Sequence, residues 1–167
     1  MKTFRNFIDD INESSMTRLK SQSDKGGTAV MSASRGDKSN KENRARAKKL
    51  DKDIRGKFGK GATKVTGKYD EKDDKTGQTK RVKERSHVIQ SGKMGKRKFK
   101  KAVKSLGKKY GQDSVITQQK GSKDATLKRT RKGAMSKQNM KLGKMRPGRS
   151  GENETQKKGK TFTYDTK

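Results

Sequence analysis

The stretch VTGKYDEKDDKTGQTKRVKERSHV, residues 65–88, decides how this chain reads. Val65, Gly67 and Tyr69 alternate with polar residues, and Val82, Glu84, Ser86 and Val88 return to the same two-residue period further on. A period of two places alternate side chains on one face of a strand. The intervening Asp73, Asp74 and Gly77 are turn formers, so the segment predicts an antiparallel hairpin with a solvated loop.

Helical patterns flank the hairpin. Upstream, Ser39 followed by Glu42 has the spacing of a capping box, and Ala47, Leu50, Ile54 and Phe58 form an apolar stripe, predicting a helix over residues 40–55. Downstream, KRKFKKAVKSLGKK at 96–109 sets Phe99, Val103, Leu106 and then Tyr110 at helical intervals under a basic surface. Val115 and Ile116 mark a short strand over 113–118, which pairs with 126–129. The fold class expected is α+β, one small α-β-β-α-β domain over residues 39–129. Residues 1–13 read as an amphipathic helix, 14–38 as a Ser- and Gly-rich linker, and 130–167 as a basic, disordered tail in which 161–164 alone has strand character.

Composition supports that economy. The 167 residues carry 48 Lys and Arg against 18 Asp and Glu, a net charge of +30, and only 23% are hydrophobic. Low hydrophobicity with high net charge approaches the signature of disorder, because little apolar burial is available to offset the conformational entropy of folding. Self-repulsion of this size is relieved by phosphates, whose condensed counterions are released on binding; nucleic acid is the expected partner. The absence of cysteine excludes disulfides and thiolate metal sites. No apolar run approaches the roughly 20 residues that span a bilayer, so no membrane partner is expected.

Two stretches concentrate unopposed positive charge. Lys93, Lys96, Arg97, Lys98, Lys100, Lys101, Lys104, Lys108 and Lys109 lie within 93–109 with no acid among them. A solvated helix face ordinarily intersperses Glu at i,i+4, and its absence points to phosphate contact. The second stretch, 128–149, holds Lys128, Arg129, Arg131, Lys132, Lys137, Lys141, Lys144, Arg146 and Arg149, again without an acid, and reads as a flexible arm. Lys outnumbers Arg and aromatics make up 5% of the chain, so sequence-independent contact is expected rather than base reading.

Signals for catalysis are weak. His87 is the only histidine and falls in a presumed strand. Gly159, Lys160 and Thr161 copy the end of a phosphate-binding loop, but position 154 is Glu where that loop requires Gly. Asp9 with Asp10 and Asp73 with Asp74 lack a third ligand. The expectation is a protein with no catalytic residues, no metal and no cofactor.

The first thirteen residues, MKTFRNFIDDINE, set Phe4, Phe7, Ile8 and Ile11 on one helical face, and two basic residues there oppose three acidic ones, unlike the rest of the chain. With Met1, Lys2 and Thr3 preceding that face, the segment resembles the capsid-targeting peptide of internal head proteins of large contractile-tailed bacteriophages. Ile11, Asn12 and Glu13 fit the cleavage motif of that family's prohead protease, implying a cut before Ser14. The resemblance implies a non-enzymatic virion protein inside the capsid, beside packaged double-stranded DNA, with prohead scaffold or capsid and the prohead protease as further partners. The alternative is a cytoplasmic RNA- or ribosome-associated protein. Separately, Asn43-Arg44, the ERSHV of Glu84–Val88 and the KYGQDSV of Lys109–Val115 make residues 33–117 similar to a small-domain family of unknown function found in bacteria and phages.

Overall fold

A computed structural model describes residues 16–72, 76–131, 139–151 and 153–165. It contains strands β1 (Thr28–Ser32), β2 (Thr63–Lys72), β3 (Thr79–Gln90), β4 (Ser114–Gln118), β5 (Asp124–Arg129), β6 (Met140–Pro147), β7 (Glu154–Lys157) and β8 (Lys160–Tyr164). These close into one antiparallel barrel in the order β1-β3-β2-β7-β8-β6-β5-β4, with β4 returning to β1. Helices cover residues 16–26 (α1), Asn40–Phe58 (α2) and Lys96–Lys109 (α3). The expected α-β-β-α-β domain between a linker and a disordered tail is therefore corrected to a mostly-sheet barrel.

Individual elements match the local signals. Glu42 donates its backbone N–H to Ser39 Oγ at 3.2 Å, and its carboxylate accepts from Ser39 N at 2.8 Å, completing the capping box of α2. The helix runs three residues past the expected end and stops at Gly59, whose φ of 68° suits a residue without Cβ. α3 covers the expected residues, and β2 pairs with β3 from Thr63↔Val88 to Lys72↔Thr79.

Alternation along the strands splits the core in two. Val30, Val65, Val88, Met145 and Phe162 point into the barrel, where Met16 and Leu19 of α1 join them. Ala29, Met31, Ile89 and Val115 point outward beneath Leu50 and Ile54 of α2 and Phe99, Val103 and Leu106 of α3. Burying each large apolar side chain contributes roughly 1.5–3 kcal/mol. Phe58 and Phe99 meet edge to face at 5.6 Å and tie the two helices together. Gly107 lets α3 lie close on the barrel, since a Cβ there would come within 2.5 Å of Thr130 Cγ2 and 3.0 Å of Val115 Cγ1.

The linker reading fails because its few apolar residues are all used. Met16, Leu19 and Ser23, at i, i+3 and i+7, form the buried face of α1. α1 lies across the barrel end at which β1 begins: Gln118 Nε2 donates to Asp24 Oδ1 at 2.9 Å, and Gln90 donates to Gln22. β1 is buried at every residue because the barrel interior lies on one side and the helices on the other.

The tail reading fails for a different reason. β6, β7 and β8 contribute three of the eight strands, and the cationic side chains of β6, Lys141, Lys144 and Arg146, are exposed. In β6 a bulge shifts the register between Ala125 and Thr126, so Leu142 and Met145, three residues apart, are both buried and the two-residue period disappears. Lys158 and Gly159, with φ of 47° and 81°, are the two-residue turn of the β7–β8 hairpin, which accounts for the apparent phosphate-loop ending. The targeting segment 1–13 lies outside the described residues. Among the described residues no helix is long and apolar enough to cross a membrane.

Candidate functional site

The hairpin β2–β3 carries two faces of different chemistry. Tyr69, Gly67 and Val65 share the inward face with Glu84, Ser86 and Val88, as the register Gly67↔Glu84 and Val65↔Ser86 requires. Tyr69 donates its hydroxyl proton to Glu84 Oε1 at 2.8 Å, and both side chains are half-buried. Gly67 leaves room beside them, for a Cβ there would stand 3.0 Å from Ser86 Oγ. Ser32, opposite Ser86, and Thr155, opposite Gly67, continue this polar collar above a floor of Val65, Val88 and Phe162. The collar lies at the end of the barrel away from α1, where β1 ends and β2 and β3 extend beyond it.

Ion pairs on the outward face hold the hairpin in place. Lys68 Nζ lies 3.2 Å from Glu154 Oε1, while Arg81 bridges Asp70 at 2.9 Å and Glu154 at 3.5 Å and donates to Gly151 O at 3.0 Å. Burial pushes the Glu154 carboxyl up, but hydrogen bonds from Lys68 and Ser150, with the charges of Lys68 and Arg81, outweigh it and keep the group below the usual range. The carboxylate thus stays charged and pins β7 to β2.

A second tyrosine–carboxylate pair has the opposite character. Tyr110, at the end of α3, donates to Asp53 Oδ2 of α2 at 2.6 Å, and Lys109 Nζ lies 2.8 Å from the same oxygen. Lys109 and then Tyr110 hold Asp53 below the usual carboxylate range, while burial and the bond to Asp53 push Tyr110 up. The Arg46 guanidinium and Lys109 ammonium lie 5.8 and 6.0 Å from the Tyr110 ring. Its carboxylate and ring are already occupied by cations, so this pair is a helix–helix clamp. Tyr69 with Glu84 instead joins two strands on the inward face of the barrel.

His87 lies on the outward face of β3 and is 3% exposed. Among the described residues its Nδ1 has no hydrogen-bond partner, nor has the buried Oδ1 of Asp51, whose Oδ2 lies 3.3 Å from Arg55 and 3.6 Å from Lys64. Burial lowers the His87 pKa below 6.5, the Asp51 charge opposes this, and Lys64 reinforces it. Between the unfolded and folded pKa values the unfolded chain binds more protons, so stability rises with pH and is lost as pH falls below about 6.5. Urea midpoints at pH 7.5 and 5.0 should show this loss, and His87→Gln should shrink it.

The basic residues named from sequence fall into separate groups. The nine between Lys93 and Lys109 lie on or just before α3, all exposed, with Lys109 paired to Asp53. Lys128 and Arg129 are in β5, and Lys141, Lys144 and Arg146 are in β6, so the expected flexible arm is largely strand. Arg131 pairs with Asp113, and Arg146 Nε lies 2.6 Å from Asp165. Arg149 is exposed after β6; Lys132 and Lys137 lie outside the described residues. Tyr69 and Glu84 were read from sequence only as strand residues. The signal available was a tyrosine and a glutamate falling on one face of a hairpin.

Residues 29–167 match the sequence model of the S-adenosylmethionine lyase family, a span that begins in β1 and takes in every later strand. No curated protein matches the chain. The family match overturns the expectation of a protein without enzymatic activity, because the matched family is one of lyases. The small-domain resemblance over 33–117 covers only part of this barrel.

Proposed function

The chain belongs to the S-adenosylmethionine lyase family, and from that premise we propose that it cleaves S-adenosylmethionine at the collar of Tyr69, Glu84, Ser86 and Thr155. The hydrogen-bonded Tyr69–Glu84 pair carries this reading: an aromatic ring and a carboxylate together suit a substrate that has both a sulfonium and an ammonium. The apolar floor beside the pair suits the adenosine and the methylene groups.

The chemistry needs no outside nucleophile. The substrate's carboxylate oxygen attacks its own γ-carbon, a C–O bond forms, and the C–S bond breaks with its electron pair passing to sulfur. The products are a neutral thioether, methylthioadenosine, and a five-membered lactone; no proton moves. Sulfonium and carboxylate charges disappear together in the transition state, so surroundings less polar than water favour it. The ammonium keeps its charge throughout. Glu84 therefore serves best on the ammonium, where attraction is equal in ground and transition states, with the Tyr69 hydroxyl orienting the carboxylate and its ring lying toward the sulfonium. Ser86 and Thr155 supply hydroxyls for the polar edge of the substrate, whereas the Ser32 hydroxyl is held by Arg85 O and Ser34 N.

Incubating the purified full-length chain with S-adenosylmethionine and following products by mass spectrometry tests this directly. Equimolar methylthioadenosine and lactone are expected. A folded chain that gives no turnover, or a first product carrying oxygen from labelled water, overturns the reading.

Packaging in a phage head is a separate proposal, carried by the N-terminal resemblance. The described fold starts at residue 16 and the family match at residue 29, so cleavage after Glu13 would leave both intact. A chain recovered from particles should begin at Ser14; one beginning at Met1 contradicts it.

A further inference from the structure

We infer that the face formed by α3, the β4–β5 turn and β5 binds the phosphate backbone of double-stranded DNA through Lys96, Lys100, Lys104, Lys120 and Lys128. The inference is independent of the lyase reading. Lys96, Lys100 and Lys104 recur every fourth residue on the exposed side of α3, so their attachment points repeat about every 6 Å along the axis. Lys96, Lys100 and Lys120 also border a crevice of about 20 Å³ between α3 and the end of β4. Lys128 stands opposite Val115, which packs under α3, and so projects beside that helix. Three separate segments therefore deliver cations to one surface.

Among the described residues none of these five lysines lies within ion-pair distance of a carboxylate, whereas Arg131, Arg146 and Lys109 each have one. Burial and the neighbouring Lys100 charge both lower the Lys128 pKa, so these two cations from different elements repel each other across the surface. Lys96, Arg97 and Lys98 occupy the first turn of α3 with no acid there and no side-chain cap on Gly95, an arrangement the helix dipole disfavours. Each of these features costs free energy in the isolated protein and is relieved by phosphate oxygens.

The same surface selects among polyanions. The only large hydrophobic residue exposed among the described ones is Met140, in β6, so this face has no ring on which to stack an unpaired base and no apolar wedge for a bilayer. Point-charge lysines on a rigid helix suit the regular backbone of a duplex and carry no base preference.

Fluorescence anisotropy of the full-length chain with a 24-base-pair duplex of arbitrary sequence, titrated with salt, provides the test. Five phosphate contacts predict a slope of log K against log salt of about −4.5. Lys100→Glu with Lys104→Glu should flatten that slope by about 2 and weaken binding more than 10-fold at 100 mM salt, with cleavage of S-adenosylmethionine and the thermal midpoint little changed. Lys48→Glu with Lys52→Glu makes the same charge change at the same spacing on exposed α2 and should leave the slope near wild type. Equal losses from both pairs would mean net charge alone, and unchanged binding by the α3 pair would mean the wrong surface; either overturns the inference. So would stronger competition by phosphatidylglycerol vesicles than by unlabelled duplex at equal phosphate.

Discussion

Glu84→Gln is expected to raise KM for S-adenosylmethionine about 10- to 100-fold and to leave kcat within a few-fold of wild type, because one charge-assisted hydrogen bond contributes roughly 1.5–3 kcal/mol and each 1.4 kcal/mol is tenfold. The split follows from the chemistry. An ammonium that stays charged throughout is bound equally in ground and transition states, and losing uniform binding raises KM alone. Were Glu84 instead against the sulfonium, it would hold the charged ground state more tightly than the transition state, and Glu84→Gln would raise kcat. Tyr69→Phe keeps the ring and removes the 2.8 Å bond that orients Glu84, so a smaller rise in KM is expected. Asp53→Asn is the control: it alters the other tyrosine–carboxylate pair and should lower the thermal midpoint without moving KM. Steady-state kinetics on the four proteins decides the matter; a KM unmoved by Glu84→Gln removes this residue from the site.

The hairpin, both long helices and the β4–β5 pairing were legible because each carries its own local signal: a two-residue period, a capping box, or a stripe at helical spacing. What joins them was not. β1 has five residues, and its message is that both faces are buried, which a short run after Gly26 and Gly27 does not announce. The bulge at Leu142 breaks the alternation of β6, and β7, with the sequence ETQK, has no apolar residue to signal a strand. The inference from composition to disorder assumed a core built from many apolar residues. A small barrel needs only every second residue to be compatible with its interior, and α1 stoppers one end with two side chains, Met16 and Leu19. Cations can therefore crowd the outer face without harming the core.

The site was hidden for a related reason. Tyr69 and Glu84 are fifteen residues apart, and only the register Gly67↔Glu84 makes them diagonal neighbours on one face. The reaction proposed, whose nucleophile belongs to the substrate, calls for no triad, metal cluster or nucleotide loop in the sequence.

Phe162→Ala should cost about 3–5 kcal/mol, a large part of the 5–15 kcal/mol by which a domain of this kind is stable. The side chain is fully buried, stands opposite Thr155 in the β7–β8 hairpin, and meets Tyr164 edge to face at 5.9 Å. It is therefore part of the floor beneath Glu84 and Tyr69 as well as of the barrel's closure. A disordered tail would predict no change in a urea melt, whereas the barrel predicts a sharply lower midpoint and loss of activity in parallel. Ending the chain after residue 130 takes the same logic further: it removes β6, β7 and β8, leaves β2 and β5 as unpaired edges, and exposes Val65 and Val88 to water. That truncation should abolish cooperative unfolding. A truncated chain that still melts at the full-length midpoint would show that closure through β8 is not what holds β2 and β3 together. The collar would then have to be rebuilt on the hairpin alone.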